Sequence, residues 1–187
     1  DDNYQVFIGE DLAYRASERY QRDLVFWKDQ FDEVPDSLFS LRPHSGNKKQ
    51  SSIVKSQRLS RSVYTQLQGV LSERGALTSN FFIALLSIYF AKTHNLSEVT
   101  IGVPVHNRLK AKFKATAGMF SSVIPLKVVI NPSESFISLI QQISLQLKLI
   151  YRHQRFPVAD INRMCQIAKL GRGQLYDISL SFEVFDG

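Results

Sequence analysis

At 187 residues the chain is long enough for one substantial core and too short for two full domains. A hydrophobic share of 44% with 21% charged residues excludes a disordered polymer, and no apolar run approaches the roughly 20 residues of a membrane span. The net charge of +6 is uneven: no acidic residue occurs between Glu98 and Glu134, while Arg108, Lys110, Lys112, Lys114 and Lys127 fall inside that window.

In chain order, Tyr20, Leu24, Trp27 and Phe31 recur at helical spacing behind Ser17 and Glu18, which predicts a capped helix over 17–31, ended by Pro35. Residues 42–50, with Pro43, Gly46 and Asn47, read as an exposed loop rather than a domain boundary. Alternation over 52–59 predicts a strand. Val63, Leu67, Val70 and Leu71 predict a helix with Gly75 at its left-handed end. Thr78, Ser79 and Asn80 offer caps for a helix over 81–90 that is apolar nearly all round, the pattern of a helix buried between layers.

A β-branched run over 99–105, broken by Gly102 and Pro104, suits a strand that stops at a site. Residues 123–130 form a second apolar run, with Pro125 placing part of it at an edge or bulge. Asn131, Pro132 and Ser133 predict the cap of a long helix whose stripe is Phe136, Leu139, Ile140, Ile143, Leu147 and Tyr151. A short helix after Pro157 and a period-two strand over 178–184 complete the chain. Alternating strands and helices give an α/β class: one mixed sheet flanked by helices.

The chemistry-bearing residues are sparse. One cysteine and four scattered histidines make no metal cluster, and no Walker loop, GxGxxG or GxSxG elbow occurs. Cys165 lies in an apolar helical context and reads as a buried, inert thiol. His44 falls in a polar loop, His94 near a helix end, His106 after a strand, and His153 at the end of the long helix; none has an HxxxD partner to orient it as a base. The basic window is either a solvated loop or a surface for an acidic protein or a phosphate. Its aromatics do not interleave with the cations, which argues against nucleic acid. Asp1-Asp2-Asn3-Tyr4 lacks the pattern of a signal peptide and the lone cysteine forms no internal disulfide, so the expected compartment is the cytoplasm.

Four consecutive segments resemble core motifs of nonribosomal peptide synthetase condensation domains. Residues 101–108, IGVPVHNR, resemble "IGxPxxGR"; residues 118–127, GMFSSVIPLK, resemble "GMFVNTLPLR". Residues 153–161, HQRFPVADI, resemble "HQDVPFEKLV", and residues 176–183, YDISLSFE, resemble "PLFQVMF". The stretch from Tyr20 to Trp27 is similar to the family's "Y…FW" helix. Five matches in the family's order cover nearly the whole chain.

The resemblance implies a chloramphenicol acetyltransferase-like fold of two α/β halves, with 1–187 a single partial domain comprising most of the C-terminal half. It implies an acyl transfer in which a carrier-bound amine attacks a carrier-bound thioester. The partners would be peptidyl carrier proteins bearing phosphopantetheine and the N-terminal half of the same domain. It also implies an exposed half-domain face able to self-associate, and no cofactor or metal of the chain's own. The family's catalytic motif, HHxxxDG, does not occur in the 187 residues. Arg108 would pair with that motif's aspartate. Gly118, Phe120, Ser122 and Pro125 would shape the tunnel, and His153 would support the fold. Ser122 stands where the family has Asn, Asn107 where it has Gly, and Lys127 where it has Arg. A CoA- or carrier-dependent acyltransferase making esters and a non-catalytic carrier-binding module are the rival readings.

Overall fold

A computed structural model describes residues 4–39, 52–108 and 110–183. Its elements are α1 (Tyr4–Arg15), α2 (Glu18–Gln30), α3 (Arg61–Ser72), α4 (Thr78–His94), β1 (Glu98–Val105), β2 (Ser122–Val129), α5 (Phe136–Arg152) and α6 (Val158–Met164). Short 3-10 turns lie at Ala111–Phe113 and Ile167–Leu170.

β1 and β2 pair antiparallel without interruption, from Glu98 opposite Val129 to Val105 opposite Ser122. On the far side of β1 the chain returns at Ser179 in a parallel bridge to Gly102, whose N–H and C=O bond Ile178 O and Leu180 N at 2.9 and 3.0 Å. The sheet is therefore mixed. β2 is its edge among the described residues, so the missing N–H of Pro125 leaves an outer position vacant rather than breaking an inner ladder, and no bulge is needed.

Alternation sorts the sheet's two faces. Val99, Ile101 and Val103 with Val128, Leu126 and Ile124 form an apolar face that joins one core with Ile83 and Ala84 of α4 and Ile140, Ile143 and Leu147 of α5. The opposite face carries Gly102 and Lys127. There the Tyr176 ring lies over Gly102, and Lys127 lies 5.7 Å from the Phe31 ring at the end of α2. Trp27, fully buried, ties α2 to the end of α5 by donating its indole N–H to His153 O at 3.2 Å.

Several local expectations change. α1 was not legible as a helix from the periodicity used above. α2 is capped by Ser17, whose hydroxyl accepts Tyr20 N–H, but it ends at Gln30, five residues before Pro35. Residues 52–59 are exposed and pair with no strand among the described residues, so the predicted strand has alternation without a ladder. α4 begins one turn earlier than predicted, with Leu77 at its cap and no side-chain cap bond. It is not buried all round: Leu85 and Tyr89 are 48% and 58% exposed. Asn131 serves a turn by accepting Ser133 N–H, while Ser135 is the cap of α5. The last predicted strand reduces to the bridge at Ser179, and residue 184 lies outside the described residues. Gly75 takes the expected left-handed φ, +62°. The loop 42–50 with His44 also lies outside the described residues.

Gly102 is the joint of the sheet. A Cβ there would lie 2.6 Å from the Tyr176 ring and 2.8 Å from Val123 Cγ1. Gly102→Ala is therefore expected to lower stability by ~1–3 kcal/mol, as overpacking does. Urea denaturation measures this, and an unchanged midpoint would show that the ring does not need this contact.

Candidate functional site

The turn that leaves β1 and the turn that enters β2 lie side by side, because Val105 is paired with Ser122. Asn107 bends the chain at φ +50°, a conformation that asparagine and glycine accept more readily than other residues. The next side chain, Arg108, folds back over its own loop. Its Nη1 donates to Phe113 O and to Thr116 O (2.7 Å), and Nη2 to Gly118 O (3.4 Å), while its guanidinium carbon sits 4.0 Å from the Phe120 ring centre. Gly118 is required by φ +153° and by contact, since a Cβ there would overlap the Tyr4 ring.

α1 closes this loop from outside. Tyr4 and Phe7 meet Phe120 at ring separations of 5.4 and 4.5 Å, and Phe7 meets Phe113 at 5.5 Å. Glu10 binds Lys110 at 2.6 Å and Lys112 at 2.8 Å. Hydrogen bonds from these two ammonium groups hold its carboxyl down to about 2. Lys127 lies 3.7 Å from Glu98 and 3.9 Å from Asp32. The basic window is thus partly neutralised from within, by ion pairs at Lys110, Lys112 and Lys127, while Lys110 stays more than half exposed.

Two cavities adjoin the turns. The first, about 300 Å3, lies among Phe7, Glu10, Asn107, Phe113, Ser122 and Arg155. The second, about 360 Å3, lies among Ile83, Val103, His106, Ser121, Leu147 and Tyr151. Neighbouring residues therefore serve different cavities: His106 and Ser121 the second, Asn107 and Ser122 the first. The Oδ1 of Asn107 is shielded from solvent and has no hydrogen-bond partner among the described residues.

Of the residues singled out from the sequence, Arg108, Gly118 and Phe120 form one contact group and Ser122 opens onto the first cavity. Pro125 does not join them. It is buried within β2 opposite Gly102, in neither cavity, and serves the sheet.

His153 also stands apart from both cavities. Its Nδ1 lies 2.7 Å from Asp23 Oδ1, and its ring stacks on Phe26 at 3.8 Å. Buried Asp23 also accepts the Tyr14 hydroxyl at 2.6 Å; burial and then this carboxylate push the Tyr14 phenol far up. A second buried carboxylate, Asp160, accepts from Arg15, Tyr20 and Arg163 at 3.1, 3.1 and 2.7 Å. These knots fasten α1, α2, α5 and α6 to one another. Cys165, half-buried at the end of α6, has its thiol pushed up by burial, which disfavours the thiolate. Among the described residues, no group of His, Cys, Asp or Glu has metal-binding geometry.

The contributions of α1 were missed in the sequence, although Tyr4, Phe7, Asp11 and Tyr14 recur at intervals of three and four, the signal that would have found the helix. The Asp23–His153 pair spans 130 positions and left no local signal.

The condensation-domain family model matches residues 1–187. The chain is 28% identical over 161 residues to a dimodular nonribosomal peptide synthase of Bacillus subtilis (strain 168), covering 85% of this chain and 7% of that protein. It is 28% identical over 181 residues to enterobactin synthase component F of Escherichia coli (strain K12), covering 96% of this chain and 14% of that one. The first condensation domain of the calcium-dependent antibiotic synthetase, solved in complex with substrate analogue 3a, matches with a TM-score of 0.78 at 26% identity. That match covers 96% of this chain and 39% of the solved chain.

The Glu10 clamp has a defined pH window. A carboxyl lowered from its ordinary 4.5 to about 2 stabilises the fold fully above the higher value, and the contribution disappears as pH falls through the lower one. The gap in urea midpoint between the natural chain and Glu10→Gln should therefore be constant near neutrality and close in strong acid. A gap that widened on acidification would contradict the clamp.

Proposed function

The chain belongs to the condensation-domain family, and on that premise we propose that it forms one wall of a two-substrate acyl-transfer site in a nonribosomal peptide synthetase. The supporting observation is the division of labour at the ends of β1 and β2, where adjacent residues line two separate cavities. Such an arrangement suits a reaction that brings two tethered substrates to one point from different sides. In it, the amine of a carrier-bound acceptor attacks the thioester carbonyl of a carrier-bound donor. A C–N bond forms, the C–S bond breaks, the thiol remains on the donor's phosphopantetheine arm, and the amine's proton passes to a base.

In this reading the chain's own residues position rather than transfer protons. Asn107, at the edge of the first cavity, supplies one polar contact to a substrate or its pantetheine arm. Ser122 supplies a second polar contact beside it, and Phe113 gives the cavity an apolar wall. The base belongs to HHxxxDG, which the 187 residues do not contain and which the family carries in its preceding half. The chain spans under two-fifths of the solved domain and at most 14% of the two synthases compared above, so the activity is proposed for the longer protein. The pairing of Lys110 and Lys112 with Glu10 weighs against the rival in which those lysines hold the phosphates of CoA.

Incubated alone with loaded donor and acceptor carrier proteins, the chain is expected to give no amide above spontaneous aminolysis, whereas the same residues joined to a half bearing HHxxxDG should form it. Amide formation by the chain alone would overturn the division of roles. The reading also assigns the exposed Leu85 and Tyr89 of α4 and the exposed Ile53 and Val54 to docking surfaces for the rest of the domain. The isolated chain is accordingly expected to self-associate in sedimentation velocity, and a strictly monomeric profile would count against it.

A further inference from the structure

We propose that Arg108 is a positioning residue that acts inward, fixing the loop that walls the first cavity; its functional part rests on reading that cavity as the substrate site. Among the described residues between β1 and β2 there is a single 3-10 turn, Ala111–Phe113, and no strand ladder to hold them. Arg108 supplies what the ladder would. Its guanidinium reaches the carbonyls of Phe113, Thr116 and Gly118, and its central carbon lies 4.0 Å over the Phe120 ring.

Only a planar fork can do this. A lysine ammonium is a point charge that can meet one or two of these carbonyls but cannot both span them and stack on the ring. The ring and the carbonyls are in turn backed by α1 through Tyr4 and Phe7, so the loop is held from its inside by Arg108 and from its outside by aromatic contact. Phe113, whose carbonyl Arg108 binds, lines the first cavity; Asn107 precedes Arg108 directly, and Ser122 follows Phe120 by two residues. The course of the loop that carries Phe113 therefore depends on one side chain, while Ser122 is held by its pairing with Val105.

Amide hydrogen exchange on the chain itself tests this, comparing Arg108→Ala and Arg108→Lys with Lys114→Ala as an exposed basic control. In both Arg108 variants the amides of 110–118 should exchange roughly tenfold faster or more, while those of α5 stay unchanged, as expected for a local opening. Methylguanidinium at a non-denaturing concentration should restore protection in Arg108→Ala by filling the vacated fork site. If Arg108→Ala does not unfold cooperatively, Arg108→Lys decides: protection of 110–118 equal to that of the natural chain would overturn the proposal. So would an acceleration of exchange in Lys114→Ala as large as that in the Arg108 variants, or the absence of rescue in a folded Arg108→Ala. In a longer protein carrying HHxxxDG, Arg108→Lys should lower kcat for amide formation with KM little changed. Should the unaltered longer protein make no amide, the functional reading fails while the exchange data still decide the role of Arg108.

Discussion

A one-residue slip between β1 and β2 would turn every side chain of one strand to the other face. The register is held from both sides. Val99, Ile101 and Val103 must meet α4 and α5, and Gly102 must meet Tyr176, because any side chain at 102 collides with that ring. With this register Val105 lies opposite Ser122, and the two turns beyond them are forced together. The pairs His106–Asn107 and Ser121–Ser122 owe their positions to that constraint. Nothing in either turn alone would bring them side by side.

The charge balance follows a similar logic of internal use. A net charge of +6 suggests a protein built to attract anions, yet the cations nearest the candidate site have assigned work. Arg108 holds carbonyls; Lys110 and Lys112 hold Glu10; Arg155 donates to Glu10 O at 2.6 Å and lies over Tyr14. Arg172, buried, donates to Pro35 O at 2.5 Å and to Leu175 O at 3.1 Å, while Asp177 accepts Leu38 N–H at 2.7 Å. These contacts staple the segment after α2 to the segment that bridges Gly102. Buried carboxylates act as hubs in the same way, each with several donors, which is the condition under which a charge tolerates burial. The first cavity is lined by Arg15, Arg19, Lys110 and Arg155 against Glu10 and Asp11, so its wall keeps an excess of cations even though several are engaged.

The sequence made the sheet's two strands, α2, α5 and the left-handed turn at Gly75 legible, because each is written in a local period or a single residue with one dominant conformation. It misled where the partner decides the outcome. Residues 52–59 alternate like a strand, but alternation describes a pattern of faces and says nothing about an available neighbour. α4 is apolar on all sides, yet Leu85 and Tyr89 are exposed, since burial depends on what surrounds a helix and its own composition only sets what it would prefer. Of the candidate site, the motif segments pointed to Arg108, Gly118, Phe120 and Ser122. The second cavity was not foreseen, because Ile83, Leu147 and Tyr151 come from helices far away in sequence.

The departures from the family pattern have physical readings of unequal weight. Asn107 in place of glycine keeps the bend, since φ +50° is open to both residue types, and it adds a side-chain oxygen that glycine cannot offer. Ser122 in place of asparagine does the reverse at the neighbouring strand: it shortens the side chain and removes an amide. The two substitutions face the same cavity. Together they move an amide group from the entry of β2 to the exit of β1 and leave a small hydroxyl at the entry. Lys127 lies at the other end of β2, 3.7 Å from Glu98 and near Phe31, where a charge against a carboxylate and a ring is served by lysine as well as by arginine. The two changes that fall on the first cavity are those at 107 and 122, and they are brought together by the register that sets Val105 against Ser122.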